Sequence, residues 1–72
     1  MSAETVTLVE IDATRYRSPE GHSLAREDVV DEHENRWHAV WAYRTPDGTL
    51  VDHSRYRHDL AGRYGLKLVE RP

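Results

Sequence analysis

Five histidines stand among 72 residues: His22, His33, His38, His53 and His58. The pairs His33/His38 and His53/His58 each enclose four residues, a spacing found in the histidine half of zinc fingers. The cysteine half is missing, because the chain contains no cysteine. That excludes disulfides, thiolate metal sites and cysteine nucleophiles. Asp31, Glu32, Glu34, Asp52 and Asp59 are near enough in sequence to complete a ligand set of nitrogen and oxygen alone. Histidine pairs at this spacing arise readily by chance in so short a chain, and no metal motif accompanies them. The plainer reading is surface histidines beside carboxylates. No metal or other cofactor is expected.

A second set of residues suggests phosphate chemistry. Arg-Tyr-Arg occurs at Arg15-Tyr16-Arg17 and again at Arg55-Tyr56-Arg57, and Arg63-Tyr64 adds a third pair. Guanidinium groups hold phosphates and tyrosine rings stack on bases. Arg55, Tyr56, Arg57 and Arg63 are therefore the candidate nucleic-acid contacts. Against this, Tyr56, Leu60 and Tyr64 recur at four-residue spacing and read as the buried face of a helix, with Asp59 pairing locally to Arg55 or Arg63. Asp52-His53-Ser54 contains the residue types of a catalytic triad. Triads are assembled from separate segments in space, not from neighbours on one strand. The four glycines match neither nucleotide-binding fingerprint. No catalytic residue is assigned, and an enzyme ranks third among the functions considered.

Trp37, Trp41 and Tyr43 are the candidates for contact with a protein partner. Trp, Tyr and Arg are enriched where binding energy concentrates. Two tryptophans on one strand face also suit a core, especially in a chain without phenylalanine. The acidic run Arg26 to Glu34 lacks the spacing and glycine of a calcium loop and reads as a solvated face.

The net charge is −3, unevenly spread. Residues 1–53 carry eleven acids against five arginines, and residues 54–72 carry five bases against two acids. Such asymmetry can mark a polyanion-binding surface. Internal charge pairing is the simpler account. A dedicated nucleic-acid binder is usually basic as a whole. Residues 1–7 show neither the basic nor the apolar region of a secretory signal. No apolar run approaches a membrane span. These features, with the absence of cysteine, suggest a cytoplasmic protein.

The elements that must position these side chains form one small α+β domain over residues 1–72. Thr5 to Ile11 alternates and is rich in β-branched residues, so it reads as a strand. Tyr16-Arg17-Ser18-Pro19-Glu20-Gly21 and Tyr43-Arg44-Thr45-Pro46-Asp47-Gly48 follow one pattern. Proline presets the first central turn position, the acid suits the next, and glycine takes the left-handed position. Both segments read as turns closing hairpins. Residues 23–35 are ambiguous. Ser23 could cap a helix over Leu24 to His33, and the balance tips toward helix over strand. Trp37 to Arg44 alternates as a strand, with Thr49 to His53 as its hairpin partner. Ser54 offers an N-cap for a helix stopped by Gly65, and Leu66 to Glu70 closes as a strand. The first three and last two residues are expected to fray.

The fold expected is a small antiparallel sheet of four to five strands, with the helix before the last strand. A ferredoxin-like β-α-β-β-α-β order is the alternative if residues 23–35 are helical. The function expected is a small non-catalytic binding or adaptor domain acting through a protein partner or as a homodimer. Weak nucleic-acid binding by the basic segment is the alternative.

Overall fold

The repeated hexapeptide produces one geometry twice. In a computed structural model, which describes residues 5–71, Gly21 N–H donates to the Ser18 carbonyl at 3.0 Å and Gly48 N–H to the Thr45 carbonyl at 2.9 Å. One step further out, Ser18 N–H donates to His22 and Thr45 N–H to Thr49. Gly21 and Gly48 lie at φ 104° and 90°. Each loop is thus a turn ending in a left-handed residue, the common three-residue hairpin connection. The two turns also touch. A Cβ placed on Gly21 would lie 3.3 Å from Cβ of Pro46.

These turns organise six strands: β1 (Thr7–Asp12), β2 (Arg15–Arg17), β3 (Ser23–Val30), β4 (Arg36–Arg44), β5 (Leu50–Ser54) and β6 (Lys67–Val69). One helix, α1 (Arg57–Tyr64), lies between β5 and β6. The sheet order is β5-β4-β3-β2-β1-β6. All neighbours are antiparallel except β1 and β6, which are parallel. The sheet is therefore mixed and has six strands, not an antiparallel sheet of four or five. The additional strand is β2, whose three residues carry too little pattern to be separated from the turn after them.

Residues 23–35 are not helical. Ser23–Val30 is a central strand paired on both edges, which removes the ferredoxin-like alternative. Its charged residues are used by the strand. Glu27 meets Arg44 across the ladder at 2.7 Å. Asp28 accepts the Ala39 N–H at 3.0 Å, and the Arg26 guanidinium donates to the Ala39 carbonyl at 3.3 Å. These bonds hold a bulge. The β3–β4 register shifts between Glu27 and Val29, and Ala39 takes φ 52°.

The helix covers one face of the sheet. Leu60 is fully buried among Leu8, Tyr16, Leu24, Trp41, Tyr43 and Leu66. A smaller cluster of Val29, Val40 and Ala42, with Leu50 against it, forms apart from the helix. Gly65 at φ 64° ends α1, and Leu66 N–H returns to the Ala61 carbonyl at 2.9 Å, as a left-handed C-terminal stop requires. The N-terminal reading needs correction. The cap position falls on Tyr56, not Ser54. Ser54 Oγ instead accepts the Tyr56 N–H and donates to Asp59. The expected stripe of Tyr56, Leu60 and Tyr64 also fails, because Tyr56 is 67% exposed and only Leu60 is buried. Residues 1–3 and Pro72, expected to fray, lie outside the described residues. Arg71, also expected to fray, is bonded to β1 through Glu10 and the Ile11 carbonyl.

Candidate functional site

The bulge in β4 separates the two tryptophans. Alternation from Trp37 to Tyr43 would place all its aromatics on one face, but the inserted residue at Ala39 reverses the phase. Trp41 and Tyr43 face the helix side and are buried. Trp41 meets Tyr16 edge-on at 6.0 Å, and Tyr43 packs on Tyr64 at 5.5 Å. Burial pushes the Tyr43 hydroxyl pKa up. Trp37 lies on the opposite face with 37% of its surface exposed. Of the three aromatic candidates, it alone presents a substantial surface.

Trp37 is held from two directions. Its indole Nε1–H donates to Asp31 Oδ2 at 3.1 Å. Its ring lies on the His53 imidazole, with centroids 4.9 Å apart and planes tilted by 38°. Asp31 also accepts the backbone N–H groups of His33 and Asn35, each at 2.9 Å. The indole donor, with the two amides, holds its carboxyl pKa down at about 2.

Beside this aromatic pair runs an open groove of about 450 Å³, lined by Val30, Asp31, Glu32, Leu50, Val51, Asp52 and His53. It lies between the end of β3 and the outermost strand β5. Asp52 is engaged elsewhere: Tyr64 Oη donates to it at 2.8 Å and Arg63 Nη1 at 3.1 Å. Burial pushes its pKa up, but these donors and the His53 amide outweigh it, so the net displacement is downward. No lysine or arginine lines the groove.

The nucleic-acid candidates do not form one surface. Arg55 and Tyr56 are exposed. Arg57 turns inward, its guanidinium 5.7 Å from the centre of the Trp41 ring and 3.8 Å from Glu70. Its buried Nε has no hydrogen-bond partner. Arg63 is bonded to Asp52, and Asp59 to Ser54, so the local pairing expected of Asp59 with Arg55 or Arg63 is absent.

The histidines serve separate neighbourhoods. His22 stacks on Tyr43 and approaches Ser18 Oγ at 3.3 Å, His33 lies beside Glu32, and His38 beside Asp28. Among the described residues, no three His, Asp or Glu side chains converge to hold a metal. Among the described residues, no helix is long and apolar enough to cross a membrane. The neighbours Asp52, His53 and Ser54 point to different partners, namely Tyr64, Trp37 and Asp59.

Sequence reasoning missed Asp31 and His53 as the supports of Trp37. Asp31 opens a tight loop by accepting amides two and four residues on, a habit of aspartate that could have been used. Nothing in the sequence links His53 to Trp37 across 16 positions. No family model, curated protein or solved structure matches this chain.

Proposed function

We propose that this chain is a small non-catalytic binding domain that engages a protein partner through Trp37 and the groove beside it. The observation that carries the reading is the state of Trp37: a large aromatic side chain, partly exposed, yet fixed by Asp31 and His53. An aromatic ordered before binding loses little further freedom on association, and such residues dominate interface energetics. Trp41 and Tyr43, being buried, support the fold rather than the contact.

Binding to nucleic acid is the second reading, favoured by one observation: Tyr56 stands 67% exposed beside exposed Arg55. One experiment separates the two. The wild type, Trp37→Ser and the triple variant Arg55→Gln/Arg57→Gln/Arg63→Gln are used to capture partners from an extract of the source cells, with and without nuclease. The expected result is a nuclease-resistant protein partner lost with Trp37→Ser and retained with the triple variant. Capture unchanged by Trp37→Ser, or nuclease-sensitive and lost only in the triple variant, would overturn the reading.

A further inference from the structure

The charge of the groove specifies what kind of segment it accepts. Three of its seven lining residues are carboxylates and none is lysine or arginine. Asp52 is offset by Arg63. Asp31 is not offset, because its donors are two backbone amides and an indole, all neutral. Neutral donors stabilise an anion without cancelling its charge. Glu32 has an 88% exposed side chain, with the His33 ring 3.6 Å away. The groove thus keeps two carboxylates with no lysine or arginine paired to them.

Its remaining wall is apolar. Val30 is 60% exposed and Val51 39% exposed, with half-buried Leu50 packed against the smaller cluster. Carboxylates beside bare valines suit a side chain with an aliphatic stem and a cationic head. Lysine and arginine are built this way, the stem lying on apolar surface and the head reaching polar groups.

We propose that the groove between β3 and β5 receives a segment of a partner protein, bearing a lysine or arginine next to an aliphatic residue. The cation lies toward Asp31 and Glu32, and the aliphatic neighbour lies on Val30 and Val51. This inference rests on the reading of the domain as a partner-binding module and adds the chemistry of the partner.

The test uses the full chain and three blocked synthetic pentapeptides, Gly-Val-X-Val-Gly, with X as arginine, norleucine or glutamate. Amide chemical shifts are followed at Val30, Glu32, Val51 and His53 up to millimolar peptide. The arginine peptide should give saturable shifts at these four positions, with weaker binding to the norleucine peptide and none to the glutamate peptide. Glu32→Gln should weaken the arginine peptide by about two- to fivefold, the range an exposed ion pair supports. It should leave the norleucine peptide unchanged. Added salt should act in the same direction as Glu32→Gln.

Equal binding of all three peptides would overturn the cationic specificity while leaving the groove as a partner site. No shift with any peptide would overturn the proposal. Shifts that follow protein concentration alone would also overturn it, since a second copy would then be the occupant. In each case the capture experiment on Trp37→Ser still judges the broader reading separately.

Discussion

Asp31 ties the β3–β4 loop to the exposed tryptophan, so its ionisation affects both. Its pKa is held at about 2, first by the Trp37 indole, and Asp12 and Asp47 lie at about 2 through their own hydrogen bonds. All three are depressed from the ordinary aspartate value of 3.8. Groups depressed in the folded state stabilise it above their unfolded pKa, and that contribution is lost as pH falls through the folded value. Thermal stability should therefore fall between about pH 4 and about pH 2. Asp31→Asn removes the charge and leaves one accepting oxygen where two served the amides and the indole. It should be less stable than wild type at pH 7, and the difference should shrink toward pH 2. Melting temperatures of both proteins across that range check this, and a constant difference would show that the charge of Asp31 is immaterial. The donor to Asp31 was not legible in sequence, because the bulge places Trp37 against Asp31 and His53 rather than on the face it shares by simple alternation with Trp41.

Legibility at the scale of elements depended on whether a segment's own residues decided its conformation. The two Pro-acid-Gly turns did so, since proline and glycine each restrict or permit a particular φ locally. β3 did not. Arg26, Glu27 and Asp28 sit mid-strand in a run with no clean alternation, and their partners Ala39 and Arg44 come from β4. A strand whose polar residues are satisfied only across the sheet looks like a charged helix when read alone. The backbone positions give a graded test. Gly48→Ala meets nothing within 4 Å, so its cost is conformational alone, about 1–2 kcal/mol for a left-handed residue with a Cβ. Gly21→Ala adds the close approach to Pro46 and should cost more. Ala39 already carries a Cβ at φ 52°, so Ala39→Gly should relieve roughly 1 kcal/mol. Urea midpoints should rank Ala39→Gly above wild type, then Gly48→Ala, then Gly21→Ala. Any other order would mean that the bulge or the turn contact is not as described.

For the molecule as a whole, stability depends on a core too small to tolerate a large loss. A chain of 72 residues carries about 4–11 kcal/mol of folding free energy at ordinary values per residue. Leu60 is the single buried residue of α1 and touches a cluster drawn from β1, β2, β3 and β4. It therefore joins the helix to most of the sheet. Charge contributes much less to that union. Among the described residues the salt bridge between 1–53 and 54–72 is Arg63–Asp52, with Arg63 54% exposed, and such pairs are worth about 0–1 kcal/mol. The charge asymmetry of the sequence is thus only slightly taken up by ion pairs between its two parts. Leu60→Ala should cost about 2–5 kcal/mol, because the lost side chain leaves a cavity the sheet cannot close. That is a large part of the whole, and a substantial unfolded population should be visible at 37 °C by circular dichroism. Tyr56→Ala, four residues earlier on the same supposed stripe, removes a ring that is 67% exposed and should change stability by no more than about 0.5 kcal/mol. Comparable losses from the two substitutions would restore the tyrosine–leucine stripe as the helix's buried face and return Tyr56 to the core. A large loss from Leu60→Ala alone leaves Tyr56 free for contact with something other than its own sheet.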